Sequence, residues 1–373
     1  MCGGELTRRT EWYPAGGQTD RCGCVDETLS ECVAKTYRQY MTKITNGLRR
    51  RRCAPWCASI GVLLAACSSG ASAPTTPEPP PTPPPVTARP VGPFVAGTAY
   101  LDARSWVQYT AGDAPLVIIA PHGGLLLPGE LPDRSCAACV TTNDTNTQLL
   151  ARVIVDTFTA RTGRRPHLVV NLLHRRKFDA NRDLPEASGG NTAALRGPWE
   201  WMHAAIDTAK ADVGRRWQRG LVIDLHGHAH AIPRLELGYL LTATQLRLDD
   251  AALTSTGAFS ASSVARLLQN GLSGRTPAQR LRGTTSLGGL LEARGFAAVP
   301  SPAAPAPLVG EDYFNGGFNT ARHGSRSFST TDAVQIECHF AGVRDTETSR
   351  AAFASALVDA LVVLFANEYG WQP

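Results

Sequence analysis

The sequence predicts a single α/β domain in three layers, a mainly parallel mixed sheet flanked by helices on both faces. Three observations carry this expectation. Short apolar runs alternate with longer stretches of helical periodicity through residues 95–373. Two of those runs stop abruptly at histidine, as strands do at the carboxyl edge of an open sheet, where ligands bind. The residues before them have the composition of an export signal and a spacer, so they are set aside from the fold.

Residues 1–40 show no hydrophobic periodicity, and Cys2, Cys22, Cys24 and Cys32 match no metal framework. They read as an over-extended start or a disordered segment. Residues 41–67 read as a lipoprotein signal peptide. Lys43 and Arg49 to Arg52 make a basic block, and the apolar run that follows is too short to span a bilayer. The run ends in Leu64-Ala65-Ala66-Cys67, which resembles the bacterial lipobox, a signal whose Cys becomes the lipidated first residue. Residues 68–94 form a Pro-rich linker containing Pro79-Pro80-Pro81 and Pro83-Pro84-Pro85, an extended spacer. Together they imply a domain in the periplasm or outside the cell, held to the membrane by lipid at Cys67.

Within the domain, strands are expected at 116–120, 168–173, 221–225, 237–242 and 333–336. A helix is expected over 145–161 after Asp144 as a candidate N-cap. A second is expected over 198–217, with Pro198 in its first turn. Residues 261–270 and 348–368 read as two more helices, and 297–325, rich in Pro, Gly and Asn, as a long functional loop. Cys136 and Cys139 read either as a local disulfide or as half of a zinc knuckle that lacks its second pair.

The chain's basic balance lies largely outside the domain. Residues 1–66 hold 10 of the 37 Lys and Arg and 6 of the 32 Asp and Glu, leaving 27 basic and 26 acidic residues for the rest. A nearly neutral domain gives no electrostatic case for nucleic-acid binding.

The chemistry concentrates at strand ends. Leu221-Val222-Ile223-Asp224-Leu225-His226-Gly227-His228-Ala229-His230 runs from an apolar strand into alternating histidines. Leu116-Val117-Ile118-Ile119-Ala120 leads likewise into Pro121-His122-Gly123-Gly124. Imidazole is a common metal ligand and is costly to bury without partners. His122, His226 and one carboxylate between them are therefore candidate ligands of a catalytic metal, which keeps one position open for water. Asp144 is the chosen carboxylate, Glu130 and Asp133 are rivals, and the alternative for Asp144 is a pure N-cap. No His-Glu-x-x-His helix motif is present. His228 and His230 read as supporting or substrate-binding groups. The cationic segment His174-Arg175-Arg176-Lys177 suits an anionic substrate. Glu337, on the apolar strand Val334-Gln335-Ile336-Glu337, is placed to act as a general base.

Five motifs occur in order: Pro121-His122-Gly123-Gly124, the Asp144 loop, Asp179-Ala180-Asn181-Arg182, Asp224-Leu225-His226-Gly227-His228 and Gln335-Ile336-Glu337. Together they resemble the N-formylglutamate amidohydrolase family, which is related to zinc carboxypeptidases and aspartoacylases. The resemblance covers residues 115–370. It implies a zinc-carboxypeptidase or phosphorylase-hydrolase-like fold, one Zn²⁺ per chain on His122, Asp144 and His226, and hydrolysis of an amide bond. It further implies Glu337 as the general base, Arg175 as an oxyanion partner, and Asn181 with Arg182 holding a substrate carboxylate, alongside His228. One departure stands out. Zinc carboxypeptidases take their acidic ligand three residues after the first His, and Leu125 occupies that position here.

The expected function is zinc-dependent hydrolysis of a small carboxylated amide or peptide in the cell envelope. The alternative is a non-catalytic lipoprotein that binds a carboxylated ligand on the same fold. Glu337 separates the two, since a binder has no use for a catalytic carboxylate beside the metal. The export signal makes its own prediction. Mass analysis of the membrane fraction should find a mature chain that begins at Cys67 and carries lipid. An unmodified chain retaining residues 1–66 would contradict it.

Overall fold

The computed structural model describes Pro90, residues 94–327 and residues 329–373. The expected signal, Cys67 and nearly all of the linker lie outside the described residues. Eight strands make one sheet: β1 (Ala99–Leu101), β2 (Val107–Thr110), β3 (Leu116–Ala120), β4 (His167–Asn171), β5 (Gly220–Gly227), β6 (Leu235–Gly238), β7 (Ala298–Val299) and β8 (Thr331–Cys338). Four helices position the site: α1 (Thr147–Thr162), α2 (Thr192–Trp217), α3 (Phe318–His323) and α4 (Glu347–Leu364).

The spatial order is β1-β2-β4-β3-β5-β8-β6-β7. β3 runs parallel to β4 and β5, β5 to β8, and β6 to β7. The pairs β1–β2, β2–β4 and β6–β8 are antiparallel. The expected mixed, mainly parallel sheet is therefore present. From β3 the chain passes through α1 to β4, then through α2 back to β5 on the other side of β3. The direction of winding reverses at β3, which opens a crevice beyond the carboxyl ends of β3 and β5.

Strand periodicity sorts the side chains between two cores. Leu116, Ile118, Leu221, Ile223, Leu225, Val334 and Ile336 pack with Leu150, Ile154 and Phe158 of α1 and with Phe353, Leu357 and Leu361 of α4. Val117, Ile119, Val169, Val222 and Ala333 pack with Leu195, Met202, Ile206 and Val213 of α2. The side chains of Asp224, His226, Gln335, Glu337 and Glu236 fall on this second face by the two-residue alternation of strands. One sheet face thus changes from apolar to polar toward its carboxyl edge.

Several boundaries differ from the sequence reading. β1 and β2, each under five residues, were not expected; they form an edge hairpin whose turn is closed by Trp106 and Val107 amides donating to Asp102. α2 begins at Thr192, which leaves Pro198 inside the helix and not in its first turn. Leu195, wholly buried, secures the added turn against the propensity cost of proline. The residue at the α1 N-cap is Asn146, with φ 67°, and not Asp144. The helix expected over 261–270 is two short ones, Ala258–Ala261 and Ala265–Asn270. Between them Ser262 Oγ and the Ser263 amide both donate to the Tyr239 carbonyl, which competes with helical bonding. The strand expected over 237–242 ends at Gly238, and Leu240 turns with φ 62° to bond Asn315. The 297–325 segment is not wholly loop, since it contains β7 and α3. Cys136 and Cys139 are disulfide-bonded.

The loop after β3 lies directly on the loop after β4. A Cβ on Gly124 would meet backbone atoms of Asn171, Leu172 and Leu173 at 2.4–2.5 Å. Gly124→Ala should therefore destabilise the fold by ~1–3 kcal/mol in chemical denaturation, as overpacking does. Gly129→Ala, where a Cβ meets nothing within 4 Å, should leave stability nearly unchanged. Equal effects from the two would contradict this packing.

Candidate metal centre and catalytic carboxylate

β3 and β5 deliver His122 and His226 to the same crevice. The ring centroids lie 4.7 Å apart, and both side chains are almost fully buried. The loop before α1 brings Asp144 between them. Asp144 Oδ2 stands 3.3 Å from His122 Nδ1 and 3.1 Å from His226 Nδ1, and it also accepts the Gly227 amide at 3.2 Å. The three side chains offer ligand atoms that all lie within 4.8 Å of one another. The structure thus brings together His122, Asp144 and His226. Glu130 and Asp133 are exposed, and Asp133 pairs with Arg176 and Lys177.

Each imidazole is oriented from behind. His122 Nε2 lies 2.6 Å from Asp179 Oδ1, and His226 Nε2 lies 3.0 Å from Asp224 Oδ2. A carboxylate on the far nitrogen leaves the near one to face the cluster, the support that metal-binding histidines usually have. Arg175 joins the two acids of the cluster, with Nη1 3.3 Å from Asp144 Oδ1 and Nε 3.0 Å from Asp179 Oδ2.

The electrostatics follow from this crowding. Burial pushes the Asp144 and Asp179 carboxyls up, but His122 and the other cations around them outweigh it and hold both below the usual range. His226 moves the other way. Burial disfavours its charge, yet Asp224 and Asp144 hold its pKa well above the ordinary value. Glu337 stands opposite His226 on β8 and is 5% exposed. Burial pushes its pKa to about 8; His226 opposes this, and Asp144, Glu236 and Asp224 add to it. Gln335 Nε2 donates to Glu337 Oε1 at 2.8 Å.

Three expected substrate residues sit differently from one another. Asn181 is buried beside the cluster, with Oδ1 accepting the Asn319 amide and Nδ2 3.3 Å from His226 Nε2. His228 is turned inward, because its Nε2 reaches the Arg234 carbonyl and its Nδ1 accepts the His230 amide. Arg182 is partly exposed and held by Glu186, with Nε to Oε1 at 2.7 Å.

Sequence reading passed over the residues that hold the site together. Asp224 carried a signal, an acid in an apolar run, and Asp179 lay inside a quoted motif. Arg344 carried none. Its guanidinium donates to the carbonyls of Thr145, His228 and Cys338, which ties together the Asp144 loop, the loop after β5 and the end of β8. Gly227 makes room for it, since a Cβ there would meet Arg344 Cζ at 2.4 Å.

No family model matches this sequence, and no curated protein matches it. Among solved structures, the chain is similar to N-formylglutamate amidohydrolase from Ralstonia eutropha JMP134, at 15% identity and a TM-score of 0.41, over 69% of this chain and 96% of that one. It is also similar to a gene product of Agrobacterium tumefaciens, at 14% identity and a TM-score of 0.41, over 70% and 94%. A third is the N-acetylmuramyl-L-alanine amidase Ami1 from Mycobacterium abscessus, at 14% identity and a TM-score of 0.30, over 67% and 98%. These likenesses are distant.

The raised Glu337 pKa has a consequence for stability in the metal-free protein. The unfolded chain loses this proton near the ordinary value of 4.5, whereas the folded chain keeps it to about 8. Between those limits the folded state binds more protons, so stability falls as pH rises. Glu337→Gln removes this dependence. Denaturation at a series of pH values should find the parent progressively less stable relative to the variant from about 4.5 to about 8. A constant difference would contradict the raised pKa of this buried carboxyl.

Proposed function

We propose that the protein is a metal-dependent amidohydrolase held in the bacterial cell envelope, acting on a small carboxylated N-acyl amino acid or peptide. The observation that carries this reading is the convergence of His122 Nδ1, His226 Nδ1 and Asp144 Oδ2, with Glu337 in register beside His226. Two imidazoles and a carboxylate suit zinc, and the anchoring of both far nitrogens fits them to hold it. His122, Asp144 and His226 would hold one Zn²⁺ per chain. When bound, the ion polarises the scissile carbonyl and acidifies water.

The chain's own residues supply the rest. Glu337 accepts the proton of the attacking water as the general base. Arg175, with Nη1 3.3 Å from Asp144 Oδ1, balances charge that develops on the carbonyl oxygen. Arg182 takes the substrate carboxylate by exchanging its pairing with Glu186 on the partly exposed side of the site. The basic block at Arg49 to Arg52, the apolar run and Cys67 support the envelope location and the lipid tether.

The purified protein should contain about one equivalent of zinc and release free amine from N-acyl amino acids or short peptides. His122→Ala should lose both metal and turnover. Glu337→Gln should keep the metal while kcat falls by about 10²–10⁴. Arg182→Ala should raise KM for carboxylated substrates more than for their uncharged analogues. Metal-free parent protein, or undiminished turnover by Glu337→Gln, would contradict the reading.

A further inference from the structure

A second polar group sits on the same sheet face, one strand beyond Glu337. β5, β8 and β6 place His226, Glu337 and Glu236 in register across three neighbouring strands, and strands are spaced about 4.8 Å apart. Glu236 is completely buried and uses both oxygens. Oε1 lies 2.8 Å from His230 Nδ1, and Oε2 accepts the Phe314 amide at 2.8 Å. The His230 ring stacks on Phe314, with centroids 4.5 Å apart and planes at 21°. His230 is 19% exposed and Phe314 43% exposed, so the stacked pair reaches solvent while its carboxylate anchor does not.

The anchor fixes what His230 can do. With Nδ1 committed to Glu236, Nε2 is the nitrogen left over, and it has no protein partner among the described residues. A buried carboxylate at Nδ1 also fixes the orientation of the ring, as in other carboxylate–imidazole dyads. His228, His230 and Glu236 are close enough to hold a metal, but His228 spends its Nδ1 lone pair on the His230 amide and its Nε2 on the Arg234 carbonyl. The group is therefore an oriented imidazole and not a second metal site. The titratable groups in contact with it are Glu236 on the sheet and His228 on its own loop.

We propose that His230 is the general acid that protonates the departing amine, that Glu236 is its positioning residue, and that Phe314 is the apolar wall beside the leaving group. This rests on the amidohydrolase reading. In the step, water gives a proton to Glu337 and its oxygen bonds the carbonyl carbon. The C–N bond breaks, and nitrogen takes the proton from His230 Nε2. The products are a carboxylic acid and an amine, which exchange a proton and leave as carboxylate and ammonium. Glu337 then releases its proton to solvent and His230 regains one, so no other reactant is needed.

The test compares leaving groups. His230→Ala should lower kcat by about 10²–10⁴ for alkyl amides, whose nitrogen cannot leave unprotonated. It should lower kcat far less for 4-nitrophenyl esters, whose leaving group needs no proton. Added imidazole should restore part of the amidase activity, and zinc content should equal that of the parent. Glu236→Gln should show a smaller loss with the same amide-to-ester contrast. In ¹⁵N NMR it should also release the fixed Nδ1–H form of His230. If His230→Ala does not fold, His230→Gln provides the same ratio. Equal losses on amide and ester, or undiminished amide turnover by the variants of an active parent, would overturn this assignment alone. A parent that cleaves no amide would overturn the amidohydrolase reading and this step with it.

Discussion

The site depends on one arrangement: two imidazoles aimed at a single carboxylate oxygen, each pushed forward by another carboxylate behind it. Asp144 faces both Nδ1 atoms, while Asp179 and Asp224 hold the two Nε2 atoms. Three buried acids within one cluster are costly unless positive charge compensates them. Arg175 spans two of them, and His226, its pKa held well above the ordinary value by the acids around it, adds positive charge. A divalent cation held by His122, His226 and Asp144 would supply that compensation. The donor chemistry, more than any distant likeness of fold, is what makes this a candidate metal centre.

The fold is organised to meet that demand. Reversal of winding at β3 sets the ends of β3 and β5 side by side and leaves a crevice there. The two-residue alternation on β5, β8 and β6 then turns Asp224, His226, Glu337 and Glu236 to one face without interrupting the apolar core on the other. Arg344 locks the Asp144 loop to the ends of β5 and β8. The 315–320 segment closes over the polar face, and glycines permit its approach. A Cβ on Gly317 would collide with the side chains of Asn181 and Gln335, and one on Gly238 with the Gly316 backbone.

Much of this was legible in the sequence, and the exceptions share a cause. Apolar runs located β3, β4, β5 and β8, and the histidines at the ends of β3 and β5 located the crevice, because both signals are local. The carboxylate between the histidines could be narrowed but not separated from a helix cap, since only the folded loop shows Asn146 taking the cap position and Asp144 turning inward. Asn181 and His228 were read as substrate contacts, and their bonds to Asn319, Arg234 and His230 were not legible, because residue type does not tell which way a side chain points. Arg344 and Glu236 were silent for the same reason, as their partners are brought to them by strand order and not by spacing along the chain. The short edge strands β1 and β2 were too brief for an alternating pattern to register.

The most direct test of the central claim is anomalous scattering at the zinc edge from crystals of the purified protein. The account predicts a peak bonded by His122 Nδ1, His226 Nδ1 and Asp144, with Glu337 beside it and not among its ligands. A peak at His228, His230 and Glu236 instead, or a zinc-soaked crystal with none at the first cluster, would contradict it.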